Sequence, residues 1–305
     1  MASFSGKPRT DFDWTRTDPN TLDLSKLRVA VVGGTGGIGR AIALSLAARG
    51  ASVTVVGQTF RDGGARGLTF LKADLSSMAE ARRVGRELSG DLDLVVMTTG
   101  IITAPKREQT AEGIERDLAI SYLSRLAIVR ELAPRLGKDR PANLPKPRVF
   151  IMGFPGTEQR ALVDDLNAEK KYEAMPQHMN TVAGNEALVL DSAMRYPHVS
   201  FFGLNPGLIK TSIRSNMLGG QGSFKHRVVE FFIGLLMISA EKYAERMTPL
   251  LVSPDLEGRS PAMFNQKAKA ILASQVMTPE HVADTISASE ALLTRASGAE
   301  RRSAI

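Results

Sequence analysis

The chain has 305 residues, 43% of them hydrophobic and 23% charged, with a formal net charge of +7, which excludes a disordered or fibrous protein and suits a folded one with a real core. It holds no cysteine, so disulfides, thiol nucleophiles and cysteine metal sites are excluded. The basic residues are scattered without interleaved aromatics, so no nucleic-acid partner is expected, and the four His have no metal-ligand spacing, so no metal is expected.

Residues 1–26 are polar and lack the apolar stretch of a signal peptide, so they read as an extension that Trp14 pins to the body. From Leu27 onward, strand and helix patterns alternate through one domain, 27–305. The expected fold is α/β: a doubly wound, Rossmann-like parallel sheet of about seven strands. The first strand, around Val29 to Val32, runs into Gly33-Gly34-Thr35-Gly36-Gly37-Ile38-Gly39, and Ile38, Ile42 and Leu46 then follow at helical spacing. Glycines between a buried strand and an amphipathic helix let backbone approach a pyrophosphate, with the helix N-terminus facing its charge. A dinucleotide site is therefore expected here.

Further strands are expected at Ser52–Val56, Leu68–Leu71, Leu92–Thr98, Arg148–Met152, Val199–Leu204 and Pro261–Phe264. Ser76 or Ser77 caps a helix running through Leu88, and a long helix covers about Ala111 to Leu136. A polar insertion, Thr157–Gln177, precedes a helix from about Asn180 to Arg195. Two helices within about 208–250 include the apolar run Val228 to Met237, which reads as cover for an apolar substrate. That run is too short to cross a bilayer, so a cytoplasmic protein with no transmembrane segment is expected. Thr278-Pro279-Glu280 opens a terminal helix.

From Leu27 to about Arg295 these residues resemble the short-chain dehydrogenase/reductase family, in its retinol-dehydrogenase-like branch. The glycine loop, Asp74-Leu75, Met97-Thr98-Thr99-Gly100 and Pro206-Gly207-Leu208-Ile209-Lys210-Thr211 match its cofactor segments. The stretches Asp164 to Tyr172 and Ser253 to Gly258 carry the branch resemblance. The resemblance implies a nicotinamide dinucleotide against Gly33, Thr35, Gly36, Gly37, Ile38, Gly39, Asp74, Leu75, Thr98, Thr99, Gly100, Pro206, Gly207, Ile209 and Thr211. It also implies a homodimer or homotetramer paired through the long helix and the helix at 180–195.

The family's catalytic Asn, Ser, Tyr and Lys fall on Ser121, Gly153, His178 and Val182, so the usual proton relay is missing. His178 is the candidate replacement acid, because imidazole ordinarily titrates near pH 6.5; a local hydrogen-bonding role is the alternative. Ser121 is a candidate for holding a water, and Tyr172 for swinging into the site. The position that holds a ribose hydroxyl in NAD-binding proteins is Gln58, without a carboxylate, while Arg40 and Arg61 are candidates to face a 2′-phosphate. NADP(H) is therefore expected over NAD(H). Three functions remain open: a reductase of imines or activated alkenes, a non-redox cyclase or isomerase, and a cofactor-binding sensor without catalysis.

Overall fold

A computed structural model describes residues 6–102, 104–207 and 238–303, with side chains to residue 298. Its centre is one eight-stranded sheet in the order β3-β2-β1-β4-β5-β6-β7-β8. The strands are β1 (Arg28–Val32), β2 (Ser52–Gly57), β3 (Leu68–Lys72), β4 (Leu94–Met97), β5 (Arg148–Met152), β6 (Ser200–Leu204), β7 (Ala262–Phe264) and β8 (Ala270–Ile271). The first seven are parallel to their neighbours, and β7 and β8 are antiparallel. Every residue of β4, β5 and β6 is buried, as strands covered by helices on both faces require.

Helices α1 (Gly37–Ala47) and α6 (Ala240–Val252) close one face of the sheet, packing Ile42, Leu46, Tyr243 and Met247 onto β1 and β2. The opposite face is closed by α2 (Met78–Glu87), α3 (Arg116–Leu118), α4 (Ser124–Leu132), α5 (Ala174–Arg195) and α7 (Pro279–Ser303). The strand order reverses between β1 and β4, and the crevice at that switch point is where such a sheet takes its ligand.

The elements depart from expectation at three places. The eighth strand is only two residues long, and it also bridges Pro8, which ties the extension to the sheet edge. In the same extension Trp14 is buried and its Nε1 donates to the Ala268 carbonyl at 2.7 Å. The expected long helix begins at Arg116, after the left-handed Gly113, and widens to a π turn over Ala119–Leu123 before continuing as α4. Helix α5 begins at Ala174 rather than near Asn180, because Pro176 is tolerated in a first turn. His178 therefore lies inside a helix. The apolar run Val228 to Met237 and the first expected helix of 208–250 lie outside the described residues.

Helix α7 packs across α5, and residues around it join it to the α3–α4 helix. Buried Tyr122 Oη and Ser289 Oγ lie 2.8 Å apart, and Arg130 donates to both Asp191 and Glu290 at 2.8 Å. These contacts cover the parts of the two helices around Tyr122, Arg130 and Asp191.

Candidate active site

The glycine loop and the ends of β1, β2, β3 and β4 enclose a cleft of about 390 Å³ at the switch point. Twelve of the expected cofactor residues line it: Gly33, Thr35, Gly36, Gly37, Ile38 and Gly39 in the loop, Gln58 after β2, Asp74 and Leu75 after β3, and Thr98, Thr99 and Gly100 after β4. Ile101, Arg116 and Ile120 line it as well.

The loop leaves no room for side chains where it packs, and ample room where a ligand would lie. Gly33 is left-handed, at φ +86°, and a Cβ there would come 2.5 Å from Thr99 N. A Cβ on Gly39 would overlap the Gly33 carbonyl and Thr98 Oγ1, whereas one on Gly36 would meet nothing within 4 Å. An open crest followed directly by the N-terminus of α1 fits a pyrophosphate. Gly39→Ala is accordingly expected to push the loop off β4 and weaken binding of a reduced nicotinamide dinucleotide at least about thirtyfold, read by fluorescence titration. Gly36→Ala should keep the fold, as its melting temperature will show.

At the mouth of the cleft, Arg40 is committed elsewhere. Its Nη2 and Nε donate to Asp62 at 2.6 and 2.8 Å, and it does not line the cleft. Arg61 does not line it either. Asp74 turns to Ser76 N at 2.9 Å. Burial works against its charge, but hydrogen bonds from Ser76 and Gln58 outweigh that and hold its carboxyl below the usual carboxylate range. Pro206 and Gly207 follow β6, where Gly207 N donates to Asn205 Oδ1 at 2.9 Å; Ile209 and Thr211 lie outside the described residues.

Two of the three expected catalytic residues, Ser121 and His178, are gathered by one that sequence reasoning missed, Asp117. This wholly buried carboxylate accepts from Ser121 Oγ at 2.5 Å and lies 2.7 Å from His178 Nδ1. Ser121 Oγ accepts in turn from Ile101 N at 3.0 Å, so it bridges the helix and the cleft wall and is not left free to hold a water. Asp117 lines a second cavity, of about 270 Å³, which shares Ile101 and Arg116 with the cofactor cleft. Tyr172 is not gathered here: its hydroxyl donates to the Ala104 carbonyl at 2.6 Å and anchors the insertion to the loop after β4. Among the described residues no cluster of the metal-binding kind occurs, and no helix is long and apolar enough to cross a membrane.

The family described as short chain dehydrogenase matches residues 28–144. An uncharacterized oxidoreductase of Saccharomyces cerevisiae, YKL107W, is 46% identical over 288 residues, which is 93% of each chain. Among solved structures, a protein of Mycobacterium paratuberculosis superposes with a TM-score of 0.67 at 18% identity, covering 92% of this chain and 98% of that one. A short-chain dehydrogenase from Pseudomonas syringae gives 0.59 at 18% identity, covering 84% and 99%. The sheet order, the glycine loop that fits a nicotinamide dinucleotide and these relatives agree: the chain belongs to the short-chain dehydrogenase family and is an oxidoreductase.

Proposed function

We propose that the protein is an NADP(H)-dependent reductase of a small apolar substrate, an imine or an activated alkene, in which His178 replaces the family's tyrosine. The observation that carries this reading is the 2.7 Å contact between His178 Nδ1 and the buried Asp117 carboxylate. By accepting the Nδ1 proton, Asp117 fixes the ring and leaves Nε2 as the nitrogen that handles a proton. Nε2 has no protein partner among the described residues.

The dinucleotide, held by the loop residues, by Thr98 to Gly100 and by the segment after Pro206, would supply the hydride. For an alkene conjugated to a carbonyl, His178 supplies the proton that balances hydride addition. For an iminium carbon, hydride addition alone gives the neutral amine, and His178 orients the substrate. The apolar run Val228 to Met237 supports an apolar substrate.

NADP(H) is favoured because the tip of β2 offers Gln58 in place of a carboxylate, and Asp74 is turned toward Ser76 and Gln58. Titration with NADPH and NADH, followed by NADPH oxidation on ketone, enone and imine panels, tests the proposal. Tighter binding of NADPH and turnover on enones or imines are expected; no NADPH binding sinks it. The Arg40–Asp62 pair gives a further check. Asp62→Asn releases Arg40 toward a 2′-phosphate and is expected to tighten NADPH about three- to tenfold with NADH unchanged.

A further inference from the structure

Behind the Asp117–His178 pair lies a buried cation that no step above uses. Arg125, on α4, is 3% exposed. Its Nη1 donates to the Met152 carbonyl and, at 2.8 Å, to Asn185 Oδ1; its Nη2 donates to the Thr99 carbonyl. It therefore clamps together the C-terminal ends of β4 and β5, which form the floor of the site. Asn185 passes the connection on, because its Nδ2 donates to the Ser121 carbonyl at 2.9 Å and Ser121 Oγ donates to Asp117. Among the described residues the guanidinium thus has no carboxylate in contact, and its Nε has no partner.

We propose that Arg125 is the fixed cation of this site: a positioning residue that, from the neighbouring helix, supplies the charge Val182 lacks and keeps Asp117 an acceptor for His178. The proposal rests on the assignment of His178 as proton carrier. Asp117 is wholly buried, and a buried charge is costly unless an opposite charge and hydrogen bonds compensate it. Burial pushes the Arg125 guanidinium down to about 9 and the charge of Asp117 opposes that shift, so the cation persists at neutral pH and the two charges feel each other. The other ionisable groups on elements packed against His178 do not supply this charge. Glu115 caps α3 and Arg116 pairs with Glu108, while Glu173 pairs with Lys171 and Glu186 is bound to Ser274.

The test needs neither cofactor nor substrate. With only four His in the chain, ¹⁵N-histidine labelling and long-range proton–nitrogen correlation at pH 7.5 report the tautomer of His178. In the wild-type protein the neutral ring is expected to carry its proton on Nδ1. In Arg125→Gln, which keeps N–H donors without the charge, that form is expected to fall at least about threefold, giving way to the Nε2–H form or the imidazolium. Arg125→Lys is expected to retain most of it. A folded Gln variant with the wild-type tautomer, or a Lys variant no better than Gln, overturns the proposal. If both fail to fold, Asn185→Ala, which cuts the link from Arg125 to Ser121 and leaves the strand clamp in place, is expected to lower the Nδ1–H form as well; no change there overturns the proposal too. Loss of the tautomer effect alone leaves His178 as proton carrier standing, whereas turnover unaffected by replacing His178 would refute that role alone.

Discussion

Replacing His178 with Phe is expected to lower kcat/KM on an activated alkene about a thousandfold while NADPH affinity stays within about threefold. The size follows from the role. General acid catalysis by a positioned group contributes roughly 10²- to 10⁴-fold, and only the transition state uses it. The insensitivity of binding follows from place, since His178 lies outside the cleft that the glycine loop forms. Asp117→Asn should reproduce much of the loss, because an amide in that position offers His178 Nδ1 either a donor or a neutral acceptor in place of a carboxylate. On an iminium substrate the His178→Phe loss should be smaller, within about tenfold, because no proton is transferred with the hydride. A Phe variant with unchanged turnover on alkenes would remove His178 as the acid.

The fold was legible because parallel strands buried on both faces must read as continuous apolar runs, and β1, β4, β5 and β6 do. The cofactor cleft was legible for a related reason. Its lining is local in sequence, each piece following the end of one strand, so recognising the strands places Gly33, Gln58, Asp74 and Thr98 together. The catalytic corner was only half legible. Asp117 and Arg125 stand four residues on either side of Ser121, two charges on a stretch that otherwise buries Leu118, Leu123 and Leu126. Charges at such spacing on an apolar stretch were the available signal. The pairings were not legible, because Asn185 and His178, the latter already a candidate, arrive from a helix some sixty residues further on. The sequence pointed to His178 itself but placed the helix start near Asn180, six residues beyond the Ala174 at which α5 begins. The commitment of Arg40 to Asp62 could not be read either: a 22-residue separation across a loop has no periodicity to betray it.

Restoring the family's tyrosine and lysine, as His178→Tyr with Val182→Lys, is expected to give no ketone reduction above background and to destabilise the fold by roughly 2–4 kcal/mol. Three features of the site oppose the restoration. A tyrosine at 178 would meet the Asp117 carboxylate, and a neighbouring negative charge disfavours the phenolate that the usual relay requires. Val182 is 4% exposed and lies one turn from Asn185, so a lysine there enters a buried region that already holds the Arg125 cation. The missing serine cannot simply be added, because a Cβ on Gly153 would lie 2.6 Å from Asn185 Cβ. Asn185 has nowhere to go, being held by Ser121 and Thr181 carbonyls at 2.9 and 2.7 Å and by Arg125 at 2.8 Å. Adding Gly153→Ser to the double variant should therefore lower the melting temperature further instead of rescuing activity. NADPH oxidation with cyclohexanone and acetophenone, alongside thermal melts, decides the matter. Robust ketone turnover in the double variant would show that the Arg125–Asn185–Ser121–Asp117 network does not stand in the way of the older chemistry.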